Sequence, residues 1–469
     1  MRRSRALSTF ALAVVALLFW SAGLPAADIP KIPKDEAAVR HALNRLTFGP
    51  RAGDVEKVRR SGLSSWIDQQ LNPAKIDDAA LEARLLSPPP RPDSFDSMQQ
   101  ARRYGRESVE VLAANKLVRA VYSERQLQEL LVDFWFNHFN VFAGKGRTAM
   151  FIPEYEHDAI RPHVLGRFRD LLGATAKSPA MLFYLDNWLS ADPEAAERIA
   201  SRRPAAQQNG GGNGRRRGLN ENYGRELLEL HTLGVDGGYT QQDVIEVARA
   251  FTGWTIAPEV PRGRFLRAAA GQAAAGQAAA LQTGSFRFVP ALHDRGDKMV
   301  LGHRISGGGM EEGEHVLDII AAHPATARHI ARKLAQRFVS DDPPEALVAR
   351  VAKRFTETSG DLREVMKTLI TSPEFFAPQA RGAKVKTPID FVASAYRATG
   401  RDLSEPRPML RALQQLGQMP YNCQPPTGYD DTADAWINAG ALVARMNIAQ
   451  QIAGPQDAAR IGGPEFQRR

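Results

Sequence analysis

The sequence predicts a mainly α fold: a large single-domain multi-helix array with few or no strands and two low-complexity surface insertions. Three observations lead there. Apolar residues recur at helical spacing through most of the chain, bracketed by capping and stop residues. Alternation of period two, the mark of a half-buried strand, is almost absent. The 469 residues are 43% apolar and 24% charged, ordinary globular composition with ample material for a core, and no repeat of solenoid length is present.

The N-terminus reads as an export signal rather than as part of this array. "MRRSR" is a basic start, Phe10 to Trp20 is an apolar run of eleven, and "SAGLPAAD" supplies small residues before the chain turns polar. Residues 1–27 are therefore expected to be a signal peptide, and 28–469 one helical domain. The run is short for a membrane span, but Pro25 blurs the cleavage site, so an uncleaved N-terminal anchor is the alternative. The expected location is periplasmic or extracellular.

The helices follow in order. "DEAAVRHALNRLT" ends at "FGP", and "LSSWIDQQLNP" ends at its proline. "SERQLQELLVDFWFNHFNVF" starts with what reads as a capping box of Ser123 and Gln126. "YTQQDVIEVARAFTGW" has Thr240 as N-cap with Asp243 three residues on. "HPATARHIARKLAQRFV", "PPEALVARVAKRFTETSG" and "GDLREVMKTLITSPEF" form a helical unit with clear start and stop signals. Only "GSFRFVPALHD" reads as extended. Residues 201–218, rich in Gly and Arg, and 267–284, rich in Ala, Gly and Gln, can bury little and read as mobile loops.

The formal charge is +9, falling to +6 once Arg2, Arg3 and Arg5 leave with the signal. No aromatic-interleaved basic platform and no zinc-finger spacing accompanies it, so no nucleic-acid partner is expected. Cys423 is the only cysteine. An exported chain with one thiol has no internal disulfide, and stability must come from packing.

The chemistry-bearing signals are polar residues set on apolar helix faces. In "NENYGRELLELHTLG", a wheel at about 100° per residue puts Leu233, Leu230, Tyr223 and Leu227 on the apolar arc. Asn222, Glu226 and Glu229 fall at its edge, and His231 falls on the far flank. A carboxylate on a buried arc is costly unless paired, hydrogen-bonded or metal-bound. Glu226 and Glu229 either pair with arginines of neighbouring helices, or act with Asn222 as an acid/base pair or as hard oxygen ligands for one divalent cation. In "LQELLVDFWFNHF", the stripe of Leu127, Leu130, Leu131, Phe134 and Trp135 continues onto His138, flanked by Asp133 and Asn137. His138 is either a satisfied core histidine or a general base with a carboxylate partner. "SPAMLFYLDNWLS" delivers Asp186 and Asn187 at the end of an apolar run, and "LHDRGDKMVLG" puts His293, Asp294 and Lys298 on a turn. There is no HExxH, GxSxG or phosphate-binding loop.

Together "HALNRLTFGP", "FWFNHFNVF", "SPAMLFYLDN", "NENYGRELLELHTLGVDGGYTQQDVIEVARAFTGW", "HDRGDKMVLG" and "HPATARHIARKLAQRFVSDDPP" resemble the bacterial "domain of unknown function 1800" family, from about Ala38 to near Ile452. The resemblance implies an exported, largely helical protein. It also implies a partner, since members are often encoded beside a second exported family related to alkaline phosphatases and sulfatases. Two functions follow as expectations. In one, the chain is a hydrolase of an extracellular or cell-envelope substrate. Asp133, His138, Asn222, Glu226 and Glu229 then converge as the catalytic group, with Asn137, Asp186, Asn187, His293, Asp294 and Lys298 against substrate or at the rim. In the other it is an accessory protein for the phosphatase-like partner, and the polar residues are a structural network.

Overall fold

The computed structural model describes residues 32–92, 95, 97–195, 197, 218–257 and 284–469. The expected signal peptide, residues 1–27, lies outside the described residues, as do both expected insertions except for their last glycines, Gly218 and Gly284.

Helix dominates, as the apolar periodicity requires. In order, the principal helices are α1 (Glu36–Leu46), α2 (Asp54–Ser61), α3 (Leu63–Gln70), α4 (Met98–Tyr122), α5 (Gln126–His138), α6 (Phe168–Lys177), α7 (Pro179–Tyr184), α8 (Glu221–Glu226), α9 (Gln241–Ala250), α10 (Met310–Ala322), α11 (Pro324–Phe338), α12 (Glu345–Glu357), α13 (Leu362–Ile370), α14 (Pro388–Thr399), α15 (Arg407–Gln415) and α16 (Ala439–Gly462). Among the described residues, none is long and apolar enough to cross a membrane. α5 lies in the middle of the packing, and Leu127, Leu130, Leu131, Phe134, Trp135 and His138 are all buried along it.

The capping residues show how local sequence sets the ends. Thr240 and Asp243 form a reciprocal box at the start of α9, and Asp361 accepts from the Arg363 and Glu364 amides at α13. The box expected at Ser123 and Gln126 does not form. Gln126 is the first helical residue, and its amide instead donates to the Ala120 and Ser123 carbonyls while accepting from Phe48 N. Tertiary contacts claimed a side chain that local pattern assigned to a cap.

Strand among the described residues is confined to two ribbons, β1 (Trp254–Ile256) with β2 (Phe286–Phe288) and β3 (Lys298–Val300) with β4 (His303–Ile305). The second was read as a turn. Its connection is Leu301-Gly302, with φ of 50° and 80°, a two-residue hairpin whose first position carries a leucine where Asn or Asp would signal it.

Two single turns are π rather than α: Tyr155–Ile160, and Leu227–Thr232 directly after α8. π turns are rare and gather at functional sites. The second one overturns the wheel drawn for "NENYGRELLELHTLG". Past Glu226 the bonds run five residues back, as in Leu233 N to Leu228 O at 2.8 Å, and each later side chain is rotated from its α position. Leu228 and His231 are therefore buried, whereas Leu230, placed on the apolar arc, is half exposed.

Candidate functional site

Two of the sequence blocks that stood out, "FWFNHFNVF" and "SPAMLFYLDN", meet at one loop. From the C-terminal end of α5, Asn137 donates to the Tyr429 carbonyl and accepts from the Tyr429 amide, both at 2.7 Å. Asn140 donates to the Cys423 and Pro425 carbonyls at 3.0 and 2.8 Å. Tyr184, the last residue of α7, donates its hydroxyl to Gln424 O at 2.6 Å. The segment 421–431 is thus held by side chains supplied from α5 and α7. Gly428 takes φ 77°, and a Cβ there would collide with the Asn137 carbonyl, so only glycine fits. Cys423 is buried in this loop, where burial pushes its thiol up to about 11. That is a packing cysteine, not a nucleophile.

Below the loop runs a chain of alternating charges. Arg161 forks onto Glu129 at 2.6 and 3.0 Å and lies 3.4 Å from Glu156. Glu156 accepts from the Tyr421 hydroxyl at 2.6 Å and lies 3.6 Å from Lys116, which donates to Asp133 at 3.0 Å. Asp133 is 4.0 Å from Arg337, whose fork engages Asp390 at 3.1 and 3.2 Å. Burial pushes the Asp390 carboxyl up, but Arg337 and Arg469 outweigh it and hold the group well below the usual carboxylate range. Burial is likewise outweighed at Glu156, by Lys116 and Arg161. The recess lined by Lys116, Asp133, Asn137, Arg337, Tyr421 and Asp431 leaves about 30 Å³ free, room for one or two waters.

His138 turns away from this chain. Its Nε2 lies 3.1 Å from the His231 carbonyl, so that nitrogen carries the proton. Its ring sits among His231 and His329, at centroid distances of 6.3 and 6.1 Å. Burial, then the charge of Lys333, drives His138 well below its ordinary value and His231 down to about 3. Among the described residues no carboxylate partners His138. The proposed carboxylate-paired base does not assemble, because Asp133 is one helical face away and engaged by Lys116.

The other expected members are spread more widely. Asp186 takes φ 61° and pairs with Lys145 at 2.9 Å. Asn187 is buried, and its amide reaches the Phe251 and Trp254 carbonyls, both at 3.3 Å. Asn222 is exposed, with its amide 3.4 Å from Leu185 O. Glu229 accepts from the Tyr239 hydroxyl at 3.1 Å. Glu226 is half-buried, and among the described residues nothing donates to it. Burial and then the charge of Glu229 push its carboxyl above the ordinary value, Arg225 opposing. Nor do Asn222, Glu226 and Glu229 form the divalent-cation site, since Asn222 and Glu229 are turned to other partners. Among the described residues no three His, Cys, Asp or Glu side chains are grouped to hold a metal ion.

His293, Asp294 and Lys298, expected at a rim, form a second buried cluster. Lys298 is 0% and Glu312 1% exposed in their side chains, and the ammonium contacts both the Glu312 carboxylate and the Asp294 carbonyl. His293 Nε2 is 3.3 Å from the same carboxylate. Asp294 is gripped by Arg249 at 2.8 and 3.1 Å. The turn folds inward because Glu312, on α10, offers a buried ammonium its counter-charge.

The model of the family described as a protein of unknown function, DUF1800, matches residues 41–467. The chain belongs to the DUF1800 family. No curated protein and no solved structure matches it.

In this DUF1800 protein the important polar residues include several that sequence reasoning passed over: Lys116, Glu156, Arg161, Arg337, Asp390 and Glu312. Only Arg337 falls inside a quoted block, and apart from the Glu156–Arg161 contact each meets its opposite charge on a different element. Their signal was faint: Glu156 lies on a π turn, Asp390 doubles as a capping-box residue at α14, and Arg337 falls among the buried apolar residues of α11.

Proposed function

We propose that this is an exported, non-catalytic accessory protein whose partner is the exported protein related to alkaline phosphatases and sulfatases. One observation carries the reading. Outside the block that carries Asn222 and Glu226, polar side chains of the signature blocks are spent inside the protein: Asn137, Asn140 and Tyr184 on loop 421–431, Asp133 on Lys116, Asn187 on two backbone carbonyls. The recess they frame has room for water and not for a substrate. A further support is apolar surface at and just before the start of α16, where Ile437, Leu442, Val443 and Met446 are 43–60% exposed. Such patches mark protein contacts.

The test is co-expression with that partner and isolation of the complex by size exclusion, wild type against the double variant Leu442→Asp, Val443→Asp. Co-elution abolished by the variant supports the reading. Absence of a complex, together with Glu226-dependent turnover of an envelope substrate, overturns it.

One observation favours the hydrolase as a second reading. Glu226 is a half-buried carboxyl that burial and Glu229 push above its ordinary value, with no partner among the described residues, the direction a general acid requires. Loss of turnover in a folded Glu226→Gln protein would establish it.

A further inference from the structure

Behind the recess, where α1, α11, α14 and the segment 463–469 meet, basic side chains outnumber acidic ones. Arg45 is 0% exposed and has no carboxylate within ion-pair distance among the described residues. Its Nη2 donates to the Val339 and Ala380 carbonyls, and its Nε and Nη1 find no acceptor. Arg469, also buried, gives Nη2 to Arg337 O at 3.4 Å. Its Nη1 lies 3.3 Å from Asp390 Oδ2 without donating to it, and its Nε is unsatisfied. Arg445 adds a third orphaned Nε.

The charge count points the same way. Arg45, Arg337, Arg445, Arg469 and Lys384 are five cations, with Lys386 beside them. Facing them are Asp341, Asp390 and Asp431, with Asp133 shared with Lys116. Among the described residues, the Lys386 ammonium meets the face of Phe466, 3.6 Å away. Burial, against the help of Asp390 and with Arg469 and Arg445 adding to it, presses that ammonium down to about 7. Buried guanidinium donors are almost always satisfied, and orphans signal a bound water or ion. A water could accept from these groups but would leave the surplus positive charge uncompensated.

We propose that this cluster holds one small monovalent anion, of chloride size, between Arg45 and Arg469. The orphaned donors come from separate guanidiniums, with no run of backbone amides among them, so nothing imposes the directional fit an oxyanion cradle supplies. A spherical ion suits such a site. Bound there, it ties α1 to the segment 463–469.

The direct test is anomalous diffraction from crystals of the full chain soaked in sodium bromide. A bromide peak between Arg45 and Arg469 is expected, and its absence at high bromide would overturn the proposal. In solution, the melting temperature should rise saturably with sodium chloride or bromide but not with sodium gluconate at the same ionic strength, because gluconate is too large to enter. Equal rises in all three salts would mean screening alone and would also overturn it. A folded Arg45→Met variant should lose the halide-specific part of the rise. If that variant does not fold, the bromide measurement on the wild type still decides.

Discussion

Asn137 and Tyr429 exchange two hydrogen bonds of equal length, 2.7 Å each, between one side-chain amide and one backbone unit. That exchange fixes the register of loop 421–431 on the end of α5, and Gly428 makes the close approach possible. Replacing Asn137 by Ala leaves a backbone N–H and C=O unsatisfied and should cost about 2–6 kcal/mol, at about 1–3 kcal/mol for each orphaned group. Gly428→Ala should cost more than about 1 kcal/mol, since it forces a positive φ as well as a collision. Both act on one contact, so the double variant should fall short of the sum in urea denaturation.

The charge chain predicts a larger loss at Arg337. Truncation to Met strips Asp390 of its fork and leaves Asp431 facing one cation fewer, and breaking such a buried pair costs about 3–5 kcal/mol. The pH behaviour follows from sign. The folded Asp390 carboxyl lies below its unfolded value of 3.8, so its contribution is present above that pH and is lost as pH falls through the folded value. Arg337→Met should therefore be less stable at pH 7, and its stability should fall less steeply below pH 3.8 than that of the wild type.

Helix existence and the core stripe of α5 could be read directly, because a regular α period carries Leu127 through His138 onto one face. His231 could not. Its burial depends on a π turn beginning at Leu227, and nothing in "RELLELHT" distinguishes a fifth-residue bond from a fourth. Lys298 was visible as chemistry but not as a buried ion pair, since Glu312 lies on a different element and looks like any helical glutamate. The β3–β4 hairpin was hidden by Leu301, a residue that gives no turn signal yet adopts a positive φ. Polar residues on apolar faces thus flagged where the interior is polar, while the counter-charges that make it tolerable came from elements with no pattern of their own.

The histidine cluster sets the slope of stability in mild acid. Burial and then Lys333 lower His231 to about 3 and His329 to about 4, from 6.5, and His138 is lowered as well. The unfolded chain takes up these protons first as pH drops. Stability is then full above pH 6.5 and declines steadily from there towards pH 4. His329→Gln, at the least buried of the three positions, should flatten that decline in melting temperatures taken across the range. An unchanged slope would show that these rings are not held neutral by the fold.

Glu226 has the opposite sign in an overlapping window, and that separates it from Asp390 and Glu156, both of which are lowered. Its folded value is raised above 4.5 by burial and by Glu229, so the stability it contributes is present below pH 4.5 and is lost as pH rises through the folded value. Above that window a Gln at 226 should be at least as stable as the wild type, because it removes a repelled, half-desolvated charge and breaks no bond. Glu229→Gln should lower the Glu226 carboxyl towards its ordinary value and weaken the same pH effect, while also altering the contact with the Tyr239 hydroxyl. Titration of the Glu226 carboxyl by NMR, in the wild type and in Glu229→Gln, checks this without any assumed substrate. A value at or below 4.5 in the wild type would remove the one observation that favours acid catalysis here.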